Sequence, residues 1–92
     1  MDKIVFITGA SSGIGAGCAR KFASQGASLI LNARNVNKLS ALKEELEKQY
    51  GAKIYLLPFD VRDRKAATSA LESLPKEWQS IDILVNNACL LY

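Results

Sequence analysis

The chain has 92 residues, 49% hydrophobic and 23% charged, with 12 basic and 9 acidic side chains for a net charge of +3. That is apolar material for one small core, with no run near the ~20 residues of a membrane span and no basic stripe for nucleic acid. With no His at all, Ser-His-Asp, Cys-His and His-ligated metal chemistry are excluded within the sequence, and Cys18 and Cys89 stand in no metal-ligating spacing.

The first predicted element is a buried strand, Lys3 to Thr8, around the apolar run Ile4-Val5-Phe6-Ile7. It turns through Gly9-Ala10-Ser11-Ser12-Gly13-Ile14-Gly15 into a helix that spans about Ser12 to Gln25. The three glycines differ in mechanical role. Gly9 makes the sharp exit, Gly13 keeps a Cβ away from approaching phosphates, and Gly15 lets the helix pack close to the strand. First-turn amides lack intrahelical partners, so this end favours an anion such as a nucleotide pyrophosphate. Thr8, Ser11 and Ser12 add hydroxyls around the loop. The helix is expected to turn Ile14, Cys18, Phe22 and Ala23 inward and to stop at Gly26.

Leu29-Ile30-Leu31 reads as the second strand. A second helix, capped by Asn35 or Asn37, carries Leu39, Leu42, Leu46 and Tyr50 inward, pairs Glu44 with Lys48 on its wet side and ends at Gly51. Lys53 to Pro58 is the third strand, with Pro58 at its end. A third helix capped by Asp63 is expected to bury Ala67, Ala70, Leu71 and Leu74 before Pro75. Ile81 to Asn86 is the fourth strand. Apolar strands joined by helical crossovers imply a parallel sheet covered on both faces, an α/β fold. There are no repeats, low-complexity segments or linkers.

The loop pattern T-G-x-x-x-G-x-G resembles that of the short-chain dehydrogenase/reductase family. Asp82-Ile83-Leu84-Val85-Asn86-Asn87-Ala88 is similar to the family's strand followed by N-N-A-G, and Asp60-Val61, after Ile54-Tyr55-Leu56-Leu57, to its adenine-contacting pair. The segment from Leu74 to Asp82 looks like the branch that oxidises 3-hydroxy acids such as serine with NADP. The resemblance implies half of a doubly wound Rossmann fold over residues 1–92, a four-stranded sheet in order 3-2-1-4 with three crossover helices.

It also implies a dinucleotide site. Gly9, Ser11, Ser12, Gly13, Ile14 and Gly15 would surround the pyrophosphate, Arg34 and Asn35 the adenosine ribose, Asp60 and Val61 the adenine, and Asn87 and Ala88 the far side of the crevice. NAD enzymes place an acid about 20 residues beyond the glycine loop, at the ribose hydroxyls. Here the slot reads Asn32-Ala33-Arg34-Asn35, with Ala33 where the acid would stand. Arg34 is therefore expected to clasp a 2′-phosphate, helped by Ser11, and the cofactor to be NADP. The bland readings are an ordinary surface Arg34, an Asp60 that caps the turn after strand three, and Asn86 and Asn87 that hold neighbouring backbone.

Family members run to about 250 residues, at the upper end of single-domain size, and carry a catalytic Ser and Y-x-x-x-K in their second half. This sequence has no Y-x-x-x-K, and Cys89 stands where the family has glycine. The expectation is a half domain cut short before the catalytic residues, with no catalytic or metal site of its own. Two functions follow: the NADP(H)-binding portion of an oxidoreductase, or a truncated or engineered half domain that binds nucleotide weakly or only self-associates. Met1-Asp2-Lys3 resembles no secretory leader, and a reduced, cytoplasmic setting is expected. Ile83, Leu84 and Val85 on the edge of strand four, or the tail Leu90-Leu91-Tyr92, are expected to make homo-oligomer contacts.

Overall fold

Strands and helices alternate along the chain in the computed structural model, which describes residues 2–60 and 62–87. The elements are β1 (Ile4–Thr8), α1 (Gly13–Ser24), β2 (Ser28–Leu31), α2 (Val36–Tyr50), β3 (Ile54–Leu56), α3 (Arg64–Glu72), a single 3-10 turn (Lys76–Trp78) and β4 (Ile83–Asn86). The sheet runs β3-β2-β1-β4, and every pairing is parallel. Val5 lies opposite Leu29 on one side and Ile83 on the other, which fixes the register of β1 against β2 and β4. This is the α/β arrangement and the strand order expected for half of a Rossmann fold.

Side-chain alternation divides the core in two. Val5, Ile7, Leu29 and Leu31 face α1 and α2, where they meet Ala19, Ala23, Leu39, Leu42 and Leu46. Phe6 and Ile30 point the other way and pack with Leu57, Leu74 and Trp78. Each helix begins on a side-chain cap: Ser12 accepts from Gly15, Asn35 from Lys38, and Asp63 from Ala66. Gly26 and Gly51 sit at positive φ just beyond α1 and α2, as helix stops require. Glu44 and Lys48 pair at 3.1 Å on the wet side of α2.

Three inward placements expected from periodicity, Ile14, Tyr50 and Leu71, do not hold. Ile14 is 70% exposed, and the stripe that α1 lays on the sheet is Gly15, Ala19 and Ala23. A helix crossing this close to a sheet needs small side chains at the contact, so Cys18 and Phe22 are moved to its flanks, half-buried. Tyr50, in the last turn of α2, is 38% exposed, beyond the end of the core. On α3 no residue is buried, and Leu71 is 42% exposed. Ala67 and Ala70 are half-buried, and Leu74 reaches the core only after the helix has ended. β3 and β4 are also shorter than expected. Lys53 instead lies over the Trp78 ring, 5.5 Å from its centroid, and the Asp82 carboxylate accepts from the Ile4 N–H at 2.9 Å.

Candidate functional site

The carboxyl ends of β1, β2 and β4 converge on the glycine loop. Gly9 takes φ 61°, the left-handed turn out of β1 that a side chain would resist. A Cβ on Gly15 would overlap the Gly9 carbonyl oxygen and stand 2.9 Å from Ala10 Cα, so the helix enters as close to the strand as backbone allows. Gly13 faces open space, with no atom within 4 Å of where a Cβ would stand. The N–H groups of Ser11, Gly13 and Ile14 find no acceptor among the described residues. Unpaired amides at the start of a twelve-residue helix fit an anion.

Ser12 is not a free donor. Its hydroxyl donates to the Gly9 carbonyl at 2.9 Å and accepts from Gly15 N–H at 3.2 Å and from the Asn87 amide at 2.9 Å. Its own N–H is also bound to Gly9 O. With one proton and two lone pairs all in use, Ser12 holds the loop in shape. Asn87 adds a contact to Gly9 O at 3.3 Å and so ties the end of β4 to the loop. Thr8 and Asn86 brace the same end, with their side-chain oxygens 3.2 Å apart.

Asn32, which the sequence offered only as part of a slot, proves to be the joint between strands. It is 1% exposed, its side-chain amide donates at 3.0 Å to both Leu57 O and Phe59 O, and its backbone carbonyl accepts from Ala10 N–H at 2.8 Å. Through these side-chain and main-chain bonds Asn32 fixes the glycine loop, the end of β2 and the segment leading to Asp60 in one frame. A polar residue closing an apolar strand was the available signal.

Ser11, Arg34, Asn35 and Lys38 line a cavity of about 510 Å³ at the mouth of this frame. Its two charged groups are both cations. Ala33 is buried, so the position where an acid would stand offers no carboxylate. Arg34 is exposed, with Nη1 3.9 Å from Asp60 Oδ2. Asn35 caps α2 as well as lining the cavity. Lys38 was missed by sequence reasoning, although its position three residues after the cap of α2 was readable.

Asp60 is gripped by Arg62, whose Nη2 and Nε approach its two oxygens at 2.9 and 3.1 Å and whose N–H donates to Oδ1 at 2.9 Å. These hydrogen bonds, with the charges of Arg62 and Arg34, bring its carboxyl down to about 2. Asp60 therefore caps its turn, the bland alternative, and any adenine contact would have to share it with Arg62. Val61, Ala88, Cys89 and the tail 90–92 lie outside the described residues. Cys18 is a half-buried free thiol packed against the core. No helix among the described residues is long and apolar enough to cross a membrane.

The short chain dehydrogenase family matches residues 3–91. Among curated proteins, the chain is 46% identical over 87 residues to NADP-dependent 3-hydroxy acid dehydrogenase YdfG of Escherichia coli (strain K12), covering 95% of this chain and 34% of that protein. It is 44% identical over 90 residues to sulfoacetaldehyde reductase 2 of Chromohalobacter salexigens, covering 98% of this chain and 35% of that one. Among solved structures, L-sorbose reductase from Gluconobacter frateurii, complexed with NADPH and L-sorbose, superposes with a TM-score of 0.87 at 36% identity, over 94% of this chain and 33% of that chain. The chain thus spans about a third of the length of these relatives.

Proposed function

The chain belongs to the short-chain dehydrogenase family, and we propose that it is the NADP(H)-holding portion of an oxidoreductase. Bound NADP(H) would supply or accept the hydride exchanged with a hydroxyl or carbonyl carbon. The observation that carries this reading is the cavity of Ser11, Arg34, Asn35 and Lys38 beside the unpaired amides of Ser11, Gly13 and Ile14. The amides suit the pyrophosphate. The cationic cavity suits a 2′-phosphate, and no acid at Ala33 opposes it. The relatives named above for NADP or NADPH are consistent with this.

The substrate class we propose is a 3-hydroxy acid, on the likeness of the Leu74–Asp82 segment and the similarity to YdfG. A relative of nearly equal identity is named for sulfoacetaldehyde, so the shared stretch speaks for cofactor far more strongly than for substrate. The sequence has no Y-x-x-x-K, and a polypeptide of these residues is expected to bind cofactor without turning substrate over. General acid–base help is worth about 10²–10⁴-fold and positioning more.

A second reading, self-association, is favoured by Leu84, 62% exposed on β4 at the edge of the described sheet. The two are compatible, with a homo-oligomer formed along that edge.

Calorimetric titration with NADP+ and NAD+ tests the cofactor. We expect NADP+ to bind with a Kd on the order of 0.1–1 mM, or about −4 to −5.5 kcal/mol, and NAD+ more weakly. Arg34→Ala should remove most of the difference. Equal affinities for the two in the parent chain would overturn the assignment.

A further inference from the structure

The start of α2 carries a contradiction of local physics. Asn35 caps the helix by accepting from Lys38 N–H at 3.1 Å. Lys38 is then the third helical residue, the position from which a Glu or Gln would reach back to accept from the cap's own N–H. An ammonium group has no acceptor and cannot do so. It also stands at the positive end of the helix dipole, in a first turn with no acidic residue. α3 opens on cations too, Arg64 and Lys65, but under the carboxylate of Asp63. The cap of α2 is neutral. Among the described residues Lys38 makes no ion pair. A local rule broken with no carboxylate among the described residues to offset it is the pattern expected of a position kept for function.

The cavity indicates what that function is. Lys38 and Ser11 line both the cavity that holds Arg34 and the adjoining groove between α1 and α2. Arg34 is shared with Asp60, 3.9 Å away, a carboxylate that does not line the cavity. Lys38 has no carboxylate within ion-pair distance among the described residues: Glu45, which lines the groove with it, is held by Arg20 at 2.7 Å. We propose that Lys38 is a specificity-determining residue, whose ammonium binds the 2′-phosphate together with Arg34 and Ser11 and sets the preference for NADP(H) over NAD(H). The inference rests on the dinucleotide reading above and adds a second cation to it.

The test uses the whole chain and three variants, Lys38→Ala, Lys38→Glu and Lys38→Arg, with Kd for NADP+ and NAD+ and the Tm measured for each. Lys38→Ala should lower the NADP+/NAD+ affinity ratio about fivefold, the scale of one exposed charge-assisted contact, with NAD+ binding unchanged. Lys38→Arg should keep the ratio. Lys38→Glu should abolish the preference yet raise the Tm, because the new carboxylate closes the capping box and suits the dipole. These opposite signs separate ligand binding from support of the fold. An unchanged ratio in Lys38→Ala and Lys38→Glu, with a ratio that falls in Arg34→Ala, would overturn the inference and leave the dinucleotide reading standing. Equal loss of NAD+ and NADP+ binding with a lowered Tm in Lys38→Glu would overturn it as well. A parent chain that binds neither nucleotide would overturn both.

Discussion

The Asn87 amide donates to the Ser12 hydroxyl at 2.9 Å, joining residues 75 apart in sequence, and reaches the Gly9 carbonyl at 3.3 Å. The last described residue after β4 thereby holds the first loop of the chain in shape. Removing the amide in Asn87→Ala leaves Ser12 and Gly9 with fewer partners and should cost about 1 kcal/mol. For a chain of this size that is a drop of about 4–8 °C in Tm. Nucleotide affinity should fall with it, since the amides proposed to hold the pyrophosphate belong to the same loop. A variant with unaltered Tm and affinity would show that Asn87 is not a brace.

Gly15→Ala should be more damaging than its single methyl suggests. The added carbon would overlap the Gly9 carbonyl and crowd Ala10 Cα at 2.9 Å, and both neighbours are backbone. Overpacking of this kind costs about 1–3 kcal/mol. Gly13→Ala, with nothing within 4 Å of its new carbon, should leave folding nearly unchanged and weaken nucleotide binding. Urea unfolding followed by Trp78 fluorescence gives both costs, as Trp78 is the single tryptophan and is buried. Comparable destabilisation by the two substitutions would refute the close approach at Gly15.

The fold was legible because its signals are local. Gly26 and Gly51 stop helices, Asn35 and Asp63 start them, and the apolar runs leave few options but a parallel sheet. Burial was less legible, because a helical period says which residues share a face and not how far that face is covered. Ile14 and Tyr50 lie at opposite ends of their helices, past the packed stripe, and α3 is covered along one side only by small residues. At the site, glycines and Arg34 stood out by residue type. Ser12 looked like a ligand donor because a sequence cannot show that its proton and lone pairs are already taken. Asn32 and Lys38 were hidden for a related reason: their importance comes from partners, or the lack of them, brought near by folding.

Acid should expose the Asp60 cluster. The folded chain holds this carboxyl at about 2 against an ordinary 3.8, so the folded state favours its charged form. Its contribution to stability is fully present above the unfolded value and is lost as pH falls from about 4 towards 2. Asp60→Asn should therefore be less stable than the parent at neutral pH, and the gap should close across that window. Chemical unfolding of both proteins at stepped pH measures it. A gap that stays constant down to pH 2 would mean that Arg62 does not hold Asp60 as described.

Leu84 provides a test of assembly. It is 62% exposed on an outer strand with apolar neighbours Ile83 and Val85. We expect concentration-dependent association by sedimentation, and Leu84→Lys should shift the chain to monomer by putting a charge on that edge. A parent that stays monomeric at high concentration would remove the β4 edge as a contact.

Residue-level mapping of nucleotide binding bears most directly on the central claim, that the glycine loop and the Arg34 cavity form one NADP(H) site. In an amide NMR titration, NADP+ should move the resonances of Ser11, Gly13 and Ile14 together with those of Arg34 to Lys38. NAD+ should move the first group and leave the second almost still. Shifts from both nucleotides confined to other parts of the chain, or identical shifts at Arg34 to Lys38 with and without the 2′-phosphate, would contradict it.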